Sequence, residues 1–232
     1  MIPLHDDNPT SITPVITVVF IAVCVLVFLW QIGQSPGAQQ QVIYSLGMIP
    51  AVLFGKVQLD PEVIRVAPVV TLVTSMFMHG GWLHLLGNML YLWIFGNNVE
   101  DAMGHGRFVL FYLLCGLAAA MAQALPDPAS TIPMVGASGA ISGVLGAYLL
   151  LYPQARILVL IPLGVFTQLV RLPAIWVLGL WFGMQLLSGA ANVGSRGGGV
   201  AFGAHVGGFL AGMALIPLFR HRQQRLFNPP GQ

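Results

Sequence analysis

The sequence predicts an all-α polytopic membrane protein, a bundle of six transmembrane helices. Three observations predict it. Only 7% of the residues are charged and 56% are hydrophobic, whereas a soluble domain carries about 25% charged residues. Six apolar runs of near-spanning length punctuate the chain, at about 14–33, 82–99, 107–125, 137–152, 172–190 and 199–219. Each is continuously apolar rather than alternating, which argues against a β-barrel. Finally, Lys and Arg fall unevenly on the connections between these runs.

Residues 1–13 read as an N-terminal tail that carries Asp6 and Asp7 but no Lys or Arg. The first run therefore lacks the basic flank and small-residue cleavage site of a signal peptide and reads as a retained span. The first connection, about 34–81, holds Pro36, Pro50, Pro61 and Pro68 among apolar residues such as Met48, Ile49, Val52, Leu53 and Phe54. It is too apolar for a soluble linker, so it is expected to fold in the outer interface, with short helices around 43–54 and 70–77. The segment 155–171 is apolar but holds Pro162 and Gly164 and is bounded by Arg156 and Arg171. We read it as an interfacial hairpin rather than a seventh span. Gly194 to Gly199 reads as a flexible loop, and 220–232 as a basic, then Pro-rich, disordered tail. The six runs and their connections form one domain, 14–219.

With six spans both tails share one side. That side carries Arg107, Arg156, Arg171, Arg220, Arg222 and Arg225, and the other carries Lys56, Arg65 and Arg196. The excess places both tails in the cytoplasm. A net charge of +2 is too small to suggest a nucleic-acid partner. Cys24 and Cys115 both lie in expected spans and read as small apolar fillers.

Ionisable residues inside spans are functional hypotheses by default. The candidates are His84, Asn88, Ser138, Ser142 and His205. His84 and Asn88 are i, i+4 neighbours on the second span and form one polar stripe. Ser138, Ser142 and Gly146 share a face of the fourth span. On the sixth, Ala201, Ala204, Gly208 and Gly212 flank His205, and small residues let helix backbones approach closely. The natural partner of that face is the glycine-rich face bearing Ser138. Taken singly, Ser138 and Ser142 read as packing serines and Asn88 as an interhelical hydrogen-bonding residue. Taken together, they make a hydrolase set. A serine becomes nucleophilic when a neutral imidazole takes its proton. A serine at a helix start also has free backbone N–H groups and the positive end of the macrodipole nearby. His84 and Asn88 can donate to a developing oxyanion. No acid lies in a span core to complete a triad, so the expectation is a Ser138–His205 dyad.

Three motifs then carry a resemblance: His79-Gly80-Gly81-Trp82-Leu83-His84-Leu85-Leu86-Gly87-Asn88, Gly136-Ala137-Ser138-Gly139, and Ala204-His205-Val206-Gly207-Gly208. In this order on spans two, four and six, they resemble the rhomboid intramembrane serine proteases, of the compact six-span bacterial type. The resemblance covers about residues 14–219. It implies a rhomboid-like bundle in the inner (plasma) membrane, with Ser138 as nucleophile and His205 as base. It implies an oxyanion hole of His84, Asn88 and the Ser138 amide, with His79 near the site rim. It makes Glu100 a structural acid. It implies transmembrane protein substrates cut near their outer end after small residues, and no cofactor or metal. A gate at the fifth span is also implied by the family. Two positions depart from the pattern. Val69-Val70-Thr71 stand where many relatives have a Trp-Arg pair. Ser142 stands where many have a Tyr stacked on the histidine, so Ser142 or another contact must orient His205. The competing readings are a non-catalytic membrane chaperone on the same scaffold, against which the intact Ser/His set argues, and a small transporter, against which the lack of a span acid argues. A metal site at His79, His84 and His205 would lack HExxH and any nearby carboxylate.

Overall fold

The computed structural model describes residues 1–163, 166–191 and 200–228. The glycine-rich loop at 194–199 lies outside the described residues. Nine α-helices are described: α1 (Val15–Ile32), α2 (Pro36–Leu46), α3 (Pro50–Leu53), α4 (Thr71–Thr74), α5 (Trp82–Met103), α6 (His105–Ala124), α7 (Ser138–Leu151), α8 (Ala174–Ala191) and α9 (Phe202–Phe219). Three strands, β1 (Ile2–Asp6), β2 (Arg156–Leu163) and β3 (Phe166–Pro173), join them.

The six expected spans coincide with α1, α5, α6, α7, α8 and α9. By length and hydropathy, four of these are long and apolar enough to cross a membrane: α1, α6, α8 and α9. A fifth is reached if Pro68–Phe77 is counted with α5, from which it departs by 80°. The remaining helix, α7, has 14 residues, about 21 Å at 1.5 Å per residue, against a hydrocarbon core of about 30 Å. The chain is thus a mostly helical, multi-pass membrane protein with four to five full-length candidate spans.

The all-α expectation needs correcting. β1, β2 and β3 form an antiparallel sheet in that order, with Ile157 opposite Leu172 and Ile2 opposite Leu160. The segment 155–171 is mostly apolar, yet burial along its first strand alternates: Ala155, Ile157 and Val159 are buried, while Arg156 points outward. That period of two is what a strand imposes on a half-buried sheet. The expected hairpin is therefore a β-hairpin, and the N-terminal tail supplies its third strand. The C-terminal tail is also ordered through Asn228. The amides of Phe227 and Asn228 donate to the carbonyls of Leu150 and Leu151 (2.7 and 2.9 Å), and His221 N–H donates to Ala102 (2.8 Å). These bonds satisfy carbonyls left open at helix C-termini.

The same end of the fold is fixed by a structural carboxylate. Glu100, fully buried near the end of α5, accepts the N–H groups of Ile16 and Thr17 (both 2.8 Å) and the Thr17 hydroxyl (2.7 Å). It also lies 2.6 Å from Nδ1 of His105. The acid thus caps the start of α1, whose free N–H groups and dipole favour a negative charge. The N-terminal strand, this cap, the sheet and the C-terminal turns share one end of the bundle. All six arginines of the arginine-rich side belong to that end.

The bundle centre is α6, α7 and α9. A methyl group added at Gly208 or Gly212 of α9 would run into the carbonyls of Gly139 and Gly143, and one at Gly146 would run into that of Phe209. Gly207 is closed in the same way by Ala122, and Gly143 by Cys115. Backbones this close gain dispersion contacts along their whole length, the main attraction available between helices in lipid. Cys24 and Cys115 are free and buried, as small apolar residues should be.

Candidate active site

The segment before α7 is held from the first connection. Met48 and Met134 exchange backbone hydrogen bonds (3.0 and 2.8 Å), and Ala51 N–H donates to Ser130 (2.9 Å). The Thr74 hydroxyl ties the single-turn helix α4 to the Leu46 carbonyl (2.6 Å). Gly136 then donates its N–H to Ser75 (2.9 Å) and turns the chain at φ +130°. Only glycine adopts that conformation readily. It also has no room for a side chain: a Cβ would lie 2.6 Å from Nε2 of His84. Gly136 therefore lets the His84 ring rest against the turn that presents Ser138.

Ser138 is the first residue of α7. Its Oγ lies 2.8 Å from Nε2 of His205 on α9. The two residues are 67 apart in sequence and meet because the glycine faces around them bring α7 and α9 together. The N-terminal turn of α7 leaves backbone N–H groups without a helical partner beside this pair.

His84 and Asn88 sit on one face of α5, as their spacing requires. Nδ1 of His84 accepts the Gly80 N–H (3.3 Å). A neutral ring that accepts on Nδ1 carries its proton on Nε2, the nitrogen that abuts Gly136. Asn88 is 7% exposed, and its Nδ2 has no hydrogen-bond acceptor among the described residues.

Two expected positions differ. His79 is fully buried rather than at a rim, its ring edge-on to that of His84 at 5.2 Å. The Gln31 amide donates to its carbonyl (2.9 Å). Ser142 does not reach His205. Its hydroxyl donates back to the carbonyl of Ser138 (2.6 Å), the usual i−4 bond of a serine inside a helix. His205 is oriented from α8 instead. Oε1 of Gln185 lies 2.7 Å from its Nδ1, and the Trp181 ring tilts over it at 5.8 Å. Neither residue was a sequence candidate. The rule that singled out Asn88, a polar side chain inside a span, applies equally to Gln185.

A model of the Rhomboid domain matches residues 67–222, a stretch that holds Ser138, His205, His84 and Asn88. The chain belongs to the rhomboid family. This rhomboid chain is 36% identical over 144 residues to the rhomboid protease GluP of Bacillus subtilis (strain 168), covering 62% of this chain and 25% of that protein. It is 32% identical over 191 residues to rhomboid-like protease 5 of Toxoplasma gondii, covering 78% and 19%. It is 30% identical over 205 residues to the mitochondrial presenilin-associated rhomboid-like protein of Homo sapiens, covering 85% and 48%. The chain thus matches less than half the length of each of these relatives.

Proposed function

We propose that this rhomboid is an intramembrane serine endopeptidase working through a Ser138–His205 dyad. The observation that carries the reading is the 2.8 Å contact between Ser138 Oγ and His205 Nε2. Nε2 takes the hydroxyl proton as Oγ attacks the carbonyl carbon of the scissile peptide bond. The carbonyl π electrons move to oxygen. The oxyanion is met by the Ser138 N–H, by Nε2–H of His84 and by Nδ2 of Asn88. The proton on His205 passes to the leaving amine, which frees the first product and leaves an ester on Ser138. Water then attacks the ester, with His205 again taking and returning the proton. Nδ2 of Asn88 is not taken by an acceptor among the described residues, which leaves this donor available to the oxyanion.

The names of GluP and the Toxoplasma relative, each called a protease, support the same reaction class. We read the bundle as six-spanning, with α7 as the short fourth span. A helix of about 21 Å in a core of about 30 Å starts below one surface. Ser138 then lies at the base of a depression that water enters, as irregular backbone at depth requires. The arginine-rich end and both termini face the cytoplasm, so the site opens toward the opposite side of an inner (plasma) membrane. The substrates are transmembrane proteins, cut near the outer end of a span that unwinds into the site.

The test is cleavage of a tagged single-span substrate in proteoliposomes. Ser138→Ala and His205→Ala abolish cleavage, and Asn88→Ala lowers turnover by about 10- to 1000-fold, as for loss of one oxyanion donor. Normal cleavage by Ser138→Ala would sink the assignment.

A further inference from the structure

The proposed reaction leaves the imidazole of His205 with a requirement that the dyad does not meet. A neutral imidazole carries one N–H. For Nε2 to take the Ser138 proton it must be bare, so the ring proton must reside on Nδ1. His205 is buried, and that tautomer is favoured there when a protein group accepts a hydrogen bond from Nδ1–H. Among the described residues, no carboxylate is within hydrogen-bond distance of His205. Ser142, next along the face of α7, has its hydroxyl committed to the Ser138 carbonyl. The acceptor at Nδ1 is Oε1 of Gln185, at 2.7 Å.

Gln185 lies on α8, one turn beyond Trp181, so a single helix touches both the edge and the face of the imidazole. Trp181 also lies 6.1 Å from Phe209, and Phe182 stacks on Phe209 at 4.4 Å. These rings seat α8 against α9 and fix the reach of the glutamine. We propose that Gln185 is a positioning residue that sets the His205 tautomer, so that the working unit is a Ser138–His205–Gln185 triad with an uncharged third member. This rests on the serine-protease reading above. The amide suits its place, because an isolated carboxylate inside a span is costly, while an amide oxygen accepts the same bond without a buried charge. The orientation of the amide is decisive. Turned over, its NH2 would donate to Nδ1, force the proton onto Nε2 and silence the base.

The experiment compares Gln185→Leu and Gln185→Glu with wild type in the cleavage assay, with Ser138→Ala as the baseline. Leucine keeps the bulk and removes the acceptor. Ionised glutamate keeps an acceptor and has no N–H to turn toward the ring. Loss of a triad's third member lowers kcat by as much as about 10^4-fold. For this amide we expect Gln185→Leu to lose about 100-fold or more in kcat with KM and Tm unchanged, and Gln185→Glu to recover most of it. Labelling of Ser138 by a fluorophosphonate should slow in parallel, a readout that needs no substrate to enter. Should the leucine variant unfold, Gln185→Met, close to glutamine in shape, is read instead. Wild-type kcat in the apolar variant overturns the proposal, and so does a glutamate variant as slow as leucine. Cleavage that survives Ser138→Ala overturns the protease reading itself, a separate failure.

Discussion

The two helices that meet α9 at His205 do so by opposite means. Against α7, contact is backbone to backbone: Gly208 and Gly212 lie on the carbonyls of Gly139 and Gly143 with no space for a methyl group. Against α8, contact is made by long side chains, with Trp181, Phe182 and Gln185 reaching across. The two α8 glycines that flank Trp181 fit the contrast, since a Cβ at Gly179 or Gly183 would meet nothing within 4 Å among the described residues, while one at Gly189, near the end of α8, would lie 3.3 Å from the Phe202 side chain. Many α8 side chains, such as Trp176 and Leu187, face outward. The difference separates two tasks. The rigid side sets how far Ser138 is from His205, because backbones in van der Waals contact cannot approach or recede without repacking. The side-chain side sets which way the imidazole turns and where its proton sits.

Breaking the rigid side should cost stability and rate together. Gly208→Ala puts a methyl group on the Gly139 carbonyl, and Gly139 is the residue after Ser138. Overpacking of this kind costs about 1–3 kcal/mol. A displacement of about 1 Å at the reacting atoms costs about 100-fold in rate. Both a lower Tm in detergent and a kcat loss of that order are expected. A variant that is less stable but fully active would mean that the α7–α9 contact holds the fold without setting the site.

A smaller effect tests whether the rigid side depends on its far end. There the Tyr148 hydroxyl of α7 donates to Oδ2 of buried Asp6 in β1 (2.7 Å). Burial raises the Asp6 carboxyl above its ordinary 3.8, and the bond from Tyr148 only partly offsets this. A carboxyl whose folded value is raised favours the folded state most when protonated. Its contribution is complete below about pH 4 and is lost as pH rises through the folded value. Tm should therefore fall with pH from this group, and Asp6→Asn should flatten that fall while cleavage at neutral pH is retained. A dead Asp6→Asn enzyme with unchanged Tm would move control of the site from the glycines to the sheet.

The parts legible in the sequence were those carried by periodicity within one segment. The six helices follow from continuous apolar runs, and the His84/Asn88 stripe and the small faces around Ser138 and His205 follow from helical spacing. What was not legible depends on partners distant in sequence. Nothing in Ile2–Asp6 marks it as a strand until β2 offers an edge. Ile157 and Val159 alternate inward only because a sheet forms, while Leu158 between them is apolar too. Gln185 is a lone amide until α8 docks on α9. Ser142 had the right spacing to face His205, but a nearer carbonyl claimed its hydroxyl, since a serine in a helix always has one four residues back.

The smallest expected effect is the sharpest check on the side-chain face. Gly183 lies between Trp181 and Gln185 along α8, and a Cβ there would touch nothing. Gly183→Ala should therefore be tolerated. By helix propensity alone it gains about 0.5–1 kcal/mol, since glycine loses more backbone freedom than alanine on forming a helix. Tm should rise slightly or hold, and cleavage should stay at the wild-type rate. Set beside Gly208→Ala, the same one-carbon change in the same lipid would then have opposite signs on the two neighbours of His205. The alternative outcome is specific. If Gly183→Ala keeps its Tm yet slows cleavage through KM, the face of α8 at Gly183 meets the substrate helix during the reaction.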